Sequence, residues 1–244
     1  MTDPAVTVEE LSSHPRIVRL SALLTEAECD ALVQLGEPRL RPSEMGDVAL
    51  TSEDDAPAVR RTSHSMSFDV LEDATNALLG RLRQRWADAA GLPMTLAEDT
   101  QLTRYAAGEA YGLHLDASEE VLRNATVLTY LADGFGGGET YFPRVPASAG
   151  GRGVMRPLAK LAAAGVLSQE LAKGSQYCSD AKAKAILRVP PRKGDAILFF
   201  PLRPDGEVDL DVVHGGCAVN PAVSPGELGE TKWIAQQWFR FDRG

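Results

Sequence analysis

Cysteine is scarce in this sequence. Cys29, Cys178 and Cys217 are the only three, widely separated and without a CxxC spacing. Neither a disulfide framework nor a zinc knuckle is expected, and free thiols in a reducing compartment are predicted. No apolar run approaches the roughly 18 residues of a membrane span, so no membrane partner is expected. The opening stretch "MTDPAVTVEELSSHPR" has neither the basic nor the apolar region of a secretion signal, which predicts a cytoplasmic location. Basic residues are in the minority, 25 against 34 acidic for a net charge of −9. No basic cluster is long enough to neutralise a run of phosphates, so nucleic acid is not expected as a partner. Repeats and low-complexity tracts are absent.

The remaining composition, 44% apolar and 24% charged over 244 residues, is that of an ordinary globular chain, and one domain over residues 1–244 is predicted. Its first part, about 14–98, reads as helix-rich. "LTEAECDALVQLGEP" carries a capping box, Thr25 with Glu28, and stops at Gly36 and Pro38. "EDATNALLGRLRQRWADAAG" places Leu78, Leu82, Trp86 and Ala89 on one stripe and ends at Gly91. Between them, the acidic and Pro/Gly-broken stretch from Arg41 to Arg61 reads as a long exposed loop, either a lid or disordered. From about 99 to 242 the pattern changes to short strands: "TQLTRY", "ATVLTYL", "ETYF", "AILRV", "DAILFF" and "KWIAQQWFRF". An insertion at about 147–185 interrupts them, where Pro157 opens a short helical segment. Helices followed by many strands predict a mainly β fold, a sandwich or barrel with flanking helices.

Two features carry chemistry. In "YGLHLDASEE", His114 and Asp116 are two residues apart, so in a strand both point to one face and reach one ion. His214, in "VVHGGCAV", precedes two glycines that admit close approach of another group. Two histidines and a carboxylate match the facial triad of a non-haem Fe(II) site, although zinc accepts the same ligands with water. His14 and His64 read as surface residues. The last strand alternates Lys232, Ile234, Gln236, Trp238 and Arg240 on one face with Trp233, Ala235, Phe239 and Phe241 on the other. Two cations on one sheet face suit a pocket for an anion better than a packed core.

These stretches, with "HPRIVRLSALLTEAECDALVQLGEP", "RRTS", "LTRYAAGEAYGLHLD", "RNATVLTYLADGFGGGETYFP" and "PRKGDAILFFPLRPDG", resemble the prolyl 4-hydroxylase branch of the Fe(II)/2-oxoglutarate-dependent dioxygenases, in the family's order and over nearly the whole chain. The resemblance implies a double-stranded β-helix (jelly-roll) core buttressed by the N-terminal helices. It implies His114, Asp116 and His214 as iron ligands and Lys232 as the cation for the distal carboxylate of 2-oxoglutarate. Tyr105 and Thr126 match residues of the same pocket, and Tyr111, Trp238 and Arg240 fall around the target residue. Fe(II), 2-oxoglutarate and O2, with ascorbate in support, are the implied cofactors, and hydroxylation of a prolyl residue in a peptide or protein is the implied reaction. A free amino acid or a carrier-bound natural-product precursor is the alternative substrate, and a non-enzymatic metal-binding β-sandwich the alternative of another class. Asp116 favours hydroxylation, since related halogenases lack this carboxylate. The chain departs from the family in the insertion and in the eighteen residues (232 − 214) that separate His214 from Lys232.

Overall fold

The computed structural model describes residues 6–43, 61–148, 176–179, 184–220 and 231–241. Strands β1 (Thr7–Ser13) and β2 (Arg16–Ser21) form a hairpin, followed by helix α1 (Glu26–Gly36). The capping box is formed: Thr25 accepts from the Glu28 amide, and the Glu28 carboxylate accepts from the Thr25 amide. The short strands β3 (Arg41–Pro42) and β4 (His64–Phe68) precede helix α2 (Ala77–Ala90). Asn76 caps the start of α2, and Gly91, at φ +68°, ends it in the left-handed conformation that favours glycine.

The predicted strands follow as β5 (Thr100–Tyr105), β6 (Tyr111–His114), β7 (Arg123–Tyr130) and β8 (Thr140–Pro146). After the one-turn helix α3 (Gln176–Ser179) come β9 (Ile186–Val189), β10 (Ala196–Phe199), β11 (His214–Gly216) and β12 (Lys232–Arg240). They build two antiparallel sheets, one in the order β1-β2-β10-β7-β12-β5-β4-β3 and one in the order β6-β11-β8-β9. This is the expected jelly-roll core.

Packing explains the alternation in β12. Trp233, Ala235 and Phe239 turn outward onto Leu32 of α1 and Leu79, Leu82 and Trp86 of α2. Ile234 turns inward, among Tyr105, Leu128, Tyr130, Phe142 and Phe199 between the sheets. A third cluster of Leu113, Tyr141, Tyr177, Ile186, Val213 and Cys217 covers the far face of the small sheet.

Several expectations are corrected. The segment read as helix-rich also supplies β2 to β4, because its strands are completed by long-range pairing with β10 and β5. The buried stripe of α2 is Leu79, Leu82, Arg83, Trp86 and Ala87, with Leu78 and Ala89 at its margins. Arg83 enters that stripe because its guanidinium donates to the Phe68 carbonyl and the Thr100 hydroxyl. Strand β6 ends at His114, so Asp116 lies in the bend beyond it rather than on the strand. Cys178 and Cys217 are not free thiols: they form a disulfide, which removes the support that free thiols lent to a reducing compartment. Cys29 alone is free, and buried. No helix of the described residues is long and apolar enough to cross a membrane. Most of the stretch between Arg41 and Arg61 read as a lid or a disordered loop (residues 44–60), most of the insertion, Pro157 included, and the lengthened connection at 221–230 lie outside the described residues.

Candidate functional site

Pairing of β6 with β11 sets His114 directly opposite His214. Their rings lie 4.3 Å apart between centroids. The glycine after His214 is required by β8: a Cβ on Gly215 would stand 2.5 Å from the Tyr141 hydroxyl oxygen. Each imidazole places Nδ1 2.9 Å from a carbonyl two residues earlier, that of Gly112 for His114 and of Val212 for His214. With the proton held on Nδ1, each Nε2 keeps its lone pair for a metal. Neither Nε2 has a hydrogen-bond partner. Both face the same oxygen, Oδ1 of Asp116, at 3.5 Å and 3.9 Å.

The second oxygen of Asp116 is occupied. Oδ2 accepts from the Thr126 hydroxyl at 2.8 Å and from the Trp238 indole at 3.2 Å, which turns Oδ1 toward the histidines. Burial opposes ionisation of Asp116, but His214, His114 and Arg123 more than offset it and hold the carboxyl well below the ordinary range. Burial, with His114 beside it and Asp116 opposing, pulls His214 down to about 4, so its ring is neutral near neutral pH. Two imidazole nitrogens and one carboxylate oxygen, all within 4.8 Å of one another, fit a divalent iron bound on one face.

Around the triad, the Tyr111 ring stacks on His114 at 3.8 Å and 19°, and the Arg61 guanidinium lies 4.8 Å from the same tyrosine ring. Burial pushes the Tyr111 hydroxyl up to about 12, so it stays protonated. Arg123 covers the Trp238 ring at 4.1 Å and donates to the Asp116 carbonyl, while its other nitrogens bind Glu98.

Deeper in the barrel, Lys232 of β12 is the register partner of Tyr105 of β5. Its ammonium lies 5.2 Å from the Tyr105 ring and 5.8 Å from that of Tyr130. Lys232 is only 3% exposed, and among the described residues no carboxylate forms an ion pair with it. Burial pulls it down to about 8, with Glu139 opposing, and the Glu139 carboxylate is itself paired with Arg188. A cation buried this way costs several kcal/mol, by order of magnitude, until an anion joins it. Glycines flank the side chain: a Cβ on Gly216 would stand 3.5 Å from the ammonium, in ordinary van der Waals contact, and one on Gly138 would stand 3.3 Å from Lys232 Cδ and 2.8 Å from the Phe135 ring.

The structure therefore brings His114, Asp116 and His214 together, with Tyr111, Thr126 and Trp238 around them, and sets Lys232 beside Tyr105. The contact it gives Thr126 is with the Asp116 carboxylate. At Tyr105, burial raises the hydroxyl while Arg61 and Ser63 oppose it. Arg240 ends β12, exposed, with Arg123 as its register partner. Tyr130, Glu139 and Arg123 were not singled out in the sequence. Tyr130 was accessible there, since it shares the inward face of β7 with Thr126 by period-two alternation.

Residues 100–240 match the model of the 2OG-Fe(II) oxygenase superfamily. Among curated proteins, the chain is 32% identical to probable prolyl 4-hydroxylase 4 of Arabidopsis thaliana, over 96% of this chain and 70% of the relative. It is 30% identical to prolyl 4-hydroxylase 2 of the same plant, with the same coverage. The fold is similar to that of the viral collagen prolyl hydroxylase of Paramecium Bursaria Chlorella virus-1 in complex with 2OG. That similarity has a TM-score of 0.56 at 19% identity, covering 93% of this chain and 96% of the other. A prolyl hydroxylase from Trichoplax adhaerens shares the fold with a TM-score of 0.52 at 12% identity, over 92% and 83% of the two chains.

Proposed function

Because the chain belongs to the 2OG-Fe(II) oxygenase superfamily, we propose that this dioxygenase hydroxylates a prolyl residue in a peptide or protein. The observation that carries the reading is a pair of lone-pair nitrogens and one carboxylate oxygen converging beside a buried, anion-seeking lysine. The names of the curated relatives support prolyl over other substrates.

Fe(II) and 2-oxoglutarate are the cofactors; together with O2 they supply the oxidising power to hydroxylate an unactivated C–H bond, with 2-oxoglutarate converted to succinate and carbon dioxide. His114, Asp116 and His214 would hold the iron. Lys232 binds the distal carboxylate of 2-oxoglutarate by a charge-assisted contact, and Tyr105 and Thr126 complete the walls of that pocket. Trp238 and Thr126 orient Asp116 so that one face of the site stays open. Phe142 and Phe199, packed against the His214 ring, keep the interior dry. Tyr111, Trp238 and Arg240 surround the target residue, and ascorbate sustains the reduced iron.

The test is incubation of proline-containing peptides with Fe(II), 2-oxoglutarate and ascorbate, read by mass spectrometry. One oxygen atom added to a prolyl residue, with succinate formed in step, is the expected result. Hydroxylation of free amino acids alone would replace the peptidyl reading.

A further inference from the structure

A cavity of about 720 Å³ lies outside the triad, with neither its three residues nor Lys232 in the wall. Its walls include Arg16, Asn124, Arg144, Phe200, Leu210 and Asp211. Three connections tie it to the triad. On β7, the inward face runs from Tyr130 beside Lys232, through Thr126 on Asp116, to Asn124 in the cavity wall. On β8, Arg144 lies two residues beyond Phe142, whose ring is 5.5 Å from that of His214. Leu210 and Asp211 belong to the 3-10 turn Leu210–Val212, and its Val212 carbonyl holds His214.

The charges of this cavity are not equally committed. Arg144 is ion-paired with Asp211, Arg203 with Asp205, and the Asp209 carboxylate accepts from the Asp211 amide. Arg16 lies over the Phe200 ring at 5.3 Å. Among the described residues no carboxylate pairs with it. An available cation in the wall of this cavity, in a chain of net charge −9, marks the place for an acidic group.

We infer that this cavity receives the substrate segment flanking the hydroxylated residue, and that Arg16 selects an acidic side chain there. The inference rests on the peptidyl reading above. Register supplies the spacing. Thr126 pairs with Phe199, and Phe199 with Ile17, the residue after Arg16, so the Arg16 backbone stands about two strand spacings, roughly 10 Å, from Thr126, with its side chain at the strand end on the other face from Ile17. About three residues of extended chain cover that distance, which places the acidic residue two to four positions from the target.

The test uses acetylated and amidated peptides, each with one proline and with Glu, Gln or Lys two to four positions to either side. Terminal charges are thereby removed, so a carboxylate can come only from the side chain. Wild-type protein is expected to show about fivefold lower KM for Glu than for Gln at one position, the upper range for an exposed ion pair, and the preference should shrink in high salt. Arg16→Glu should reverse it in favour of Lys. Equal KM values for all peptides, unchanged in Arg16→Glu, would overturn the subsite and leave the prolyl reading intact. Binding is followed in parallel by fluorescence anisotropy of labelled peptides on the Fe(II)- and 2-oxoglutarate-loaded protein without oxygen. Glu-selective binding that Arg16→Glu abolishes, without hydroxylation, would keep the subsite and overturn the prolyl reading. Absence of both binding and turnover would overturn both.

Discussion

Trp238 and Asp116, 122 residues apart in the chain, are joined by a hydrogen bond of 3.2 Å from the indole nitrogen to Oδ2. The bond makes β12 part of the candidate metal centre, although Trp238 is not one of the three residues that could hold the ion. Partners of this kind set ligand orientation, and losing one typically costs 10–100-fold in metal affinity. Trp238→Phe keeps the ring and removes the donor, so its Fe(II) dissociation constant should rise by roughly that factor. Asp116→Ala should abolish iron binding and hydroxylation. Equal iron affinity of wild type and Trp238→Phe in a chelator competition would show that Thr126 alone holds the carboxylate.

Lys232 should make 2-oxoglutarate binding pH-dependent. Its free-state pKa is about 8 because of burial, and the ammonium form is the one that binds a dicarboxylate. As pH rises through 8 the free protein sheds this proton, so affinity should fall by up to about tenfold per unit. Lys232→Ala should bind 2-oxoglutarate weakly, by roughly 2–5 kcal/mol, with no such dependence. Calorimetric titration between pH 7 and 9.5 measures both; a flat wild-type profile would place the dependence elsewhere.

Gly215 should not tolerate a side chain. The alanine Cβ would stand 2.5 Å from the Tyr141 hydroxyl oxygen and 2.6 Å from its ring carbon, and Tyr141 is buried. Overpacking of this kind costs roughly 1–3 kcal/mol. Gly215→Ala should lower the melting temperature and, because β11 carries His214, weaken iron binding as well. Tyr141→Leu combined with Gly215→Ala should recover part of the iron affinity. Failure of the double variant to recover any would separate the clash from the loss.

The Cys178–Cys217 disulfide closes a loop of 39 residues in sequence separation and ties α3 to the chain just after β11. Loop-closure entropy for that length is worth about 4 kcal/mol. Reduction should lower the melting temperature of wild type and leave Cys217→Ser, already lowered, unchanged. A reductant-insensitive wild type in thermal unfolding would count against the bond.

Local signals were readable without the fold. The Thr25–Glu28 box, the stop at Gly91 and the strand alternation of β12 depend on neighbours within a few residues, and each forms as expected. His114, Asp116 and His214 could be nominated because ligand types at short spacing, and glycines after a histidine, are local features too. What the nomination lacked was proximity. Asp116 reaches Nε2 of both histidines from a bend beyond β6 and not from a shared strand face, because Thr126 and Trp238 turn its carboxylate. Likewise α2 buries Leu82 and Trp86 of the expected stripe but covers Leu79 and Ala87 more fully than Leu78 and Ala89, since periodicity describes a stripe but the sheet beneath decides which edge is covered, and Arg83 finds its acceptors only there. The cysteines make the division plainest. Nothing in their spacing pairs Cys178 with Cys217; a disulfide needs Cα atoms within about 7 Å, and the fold brings these two to 5.6 Å. Chemistry that a residue carries in its own side chain and near neighbours belongs to the sequence. Chemistry that needs two distant residues in one small volume exists only once the sheets have closed.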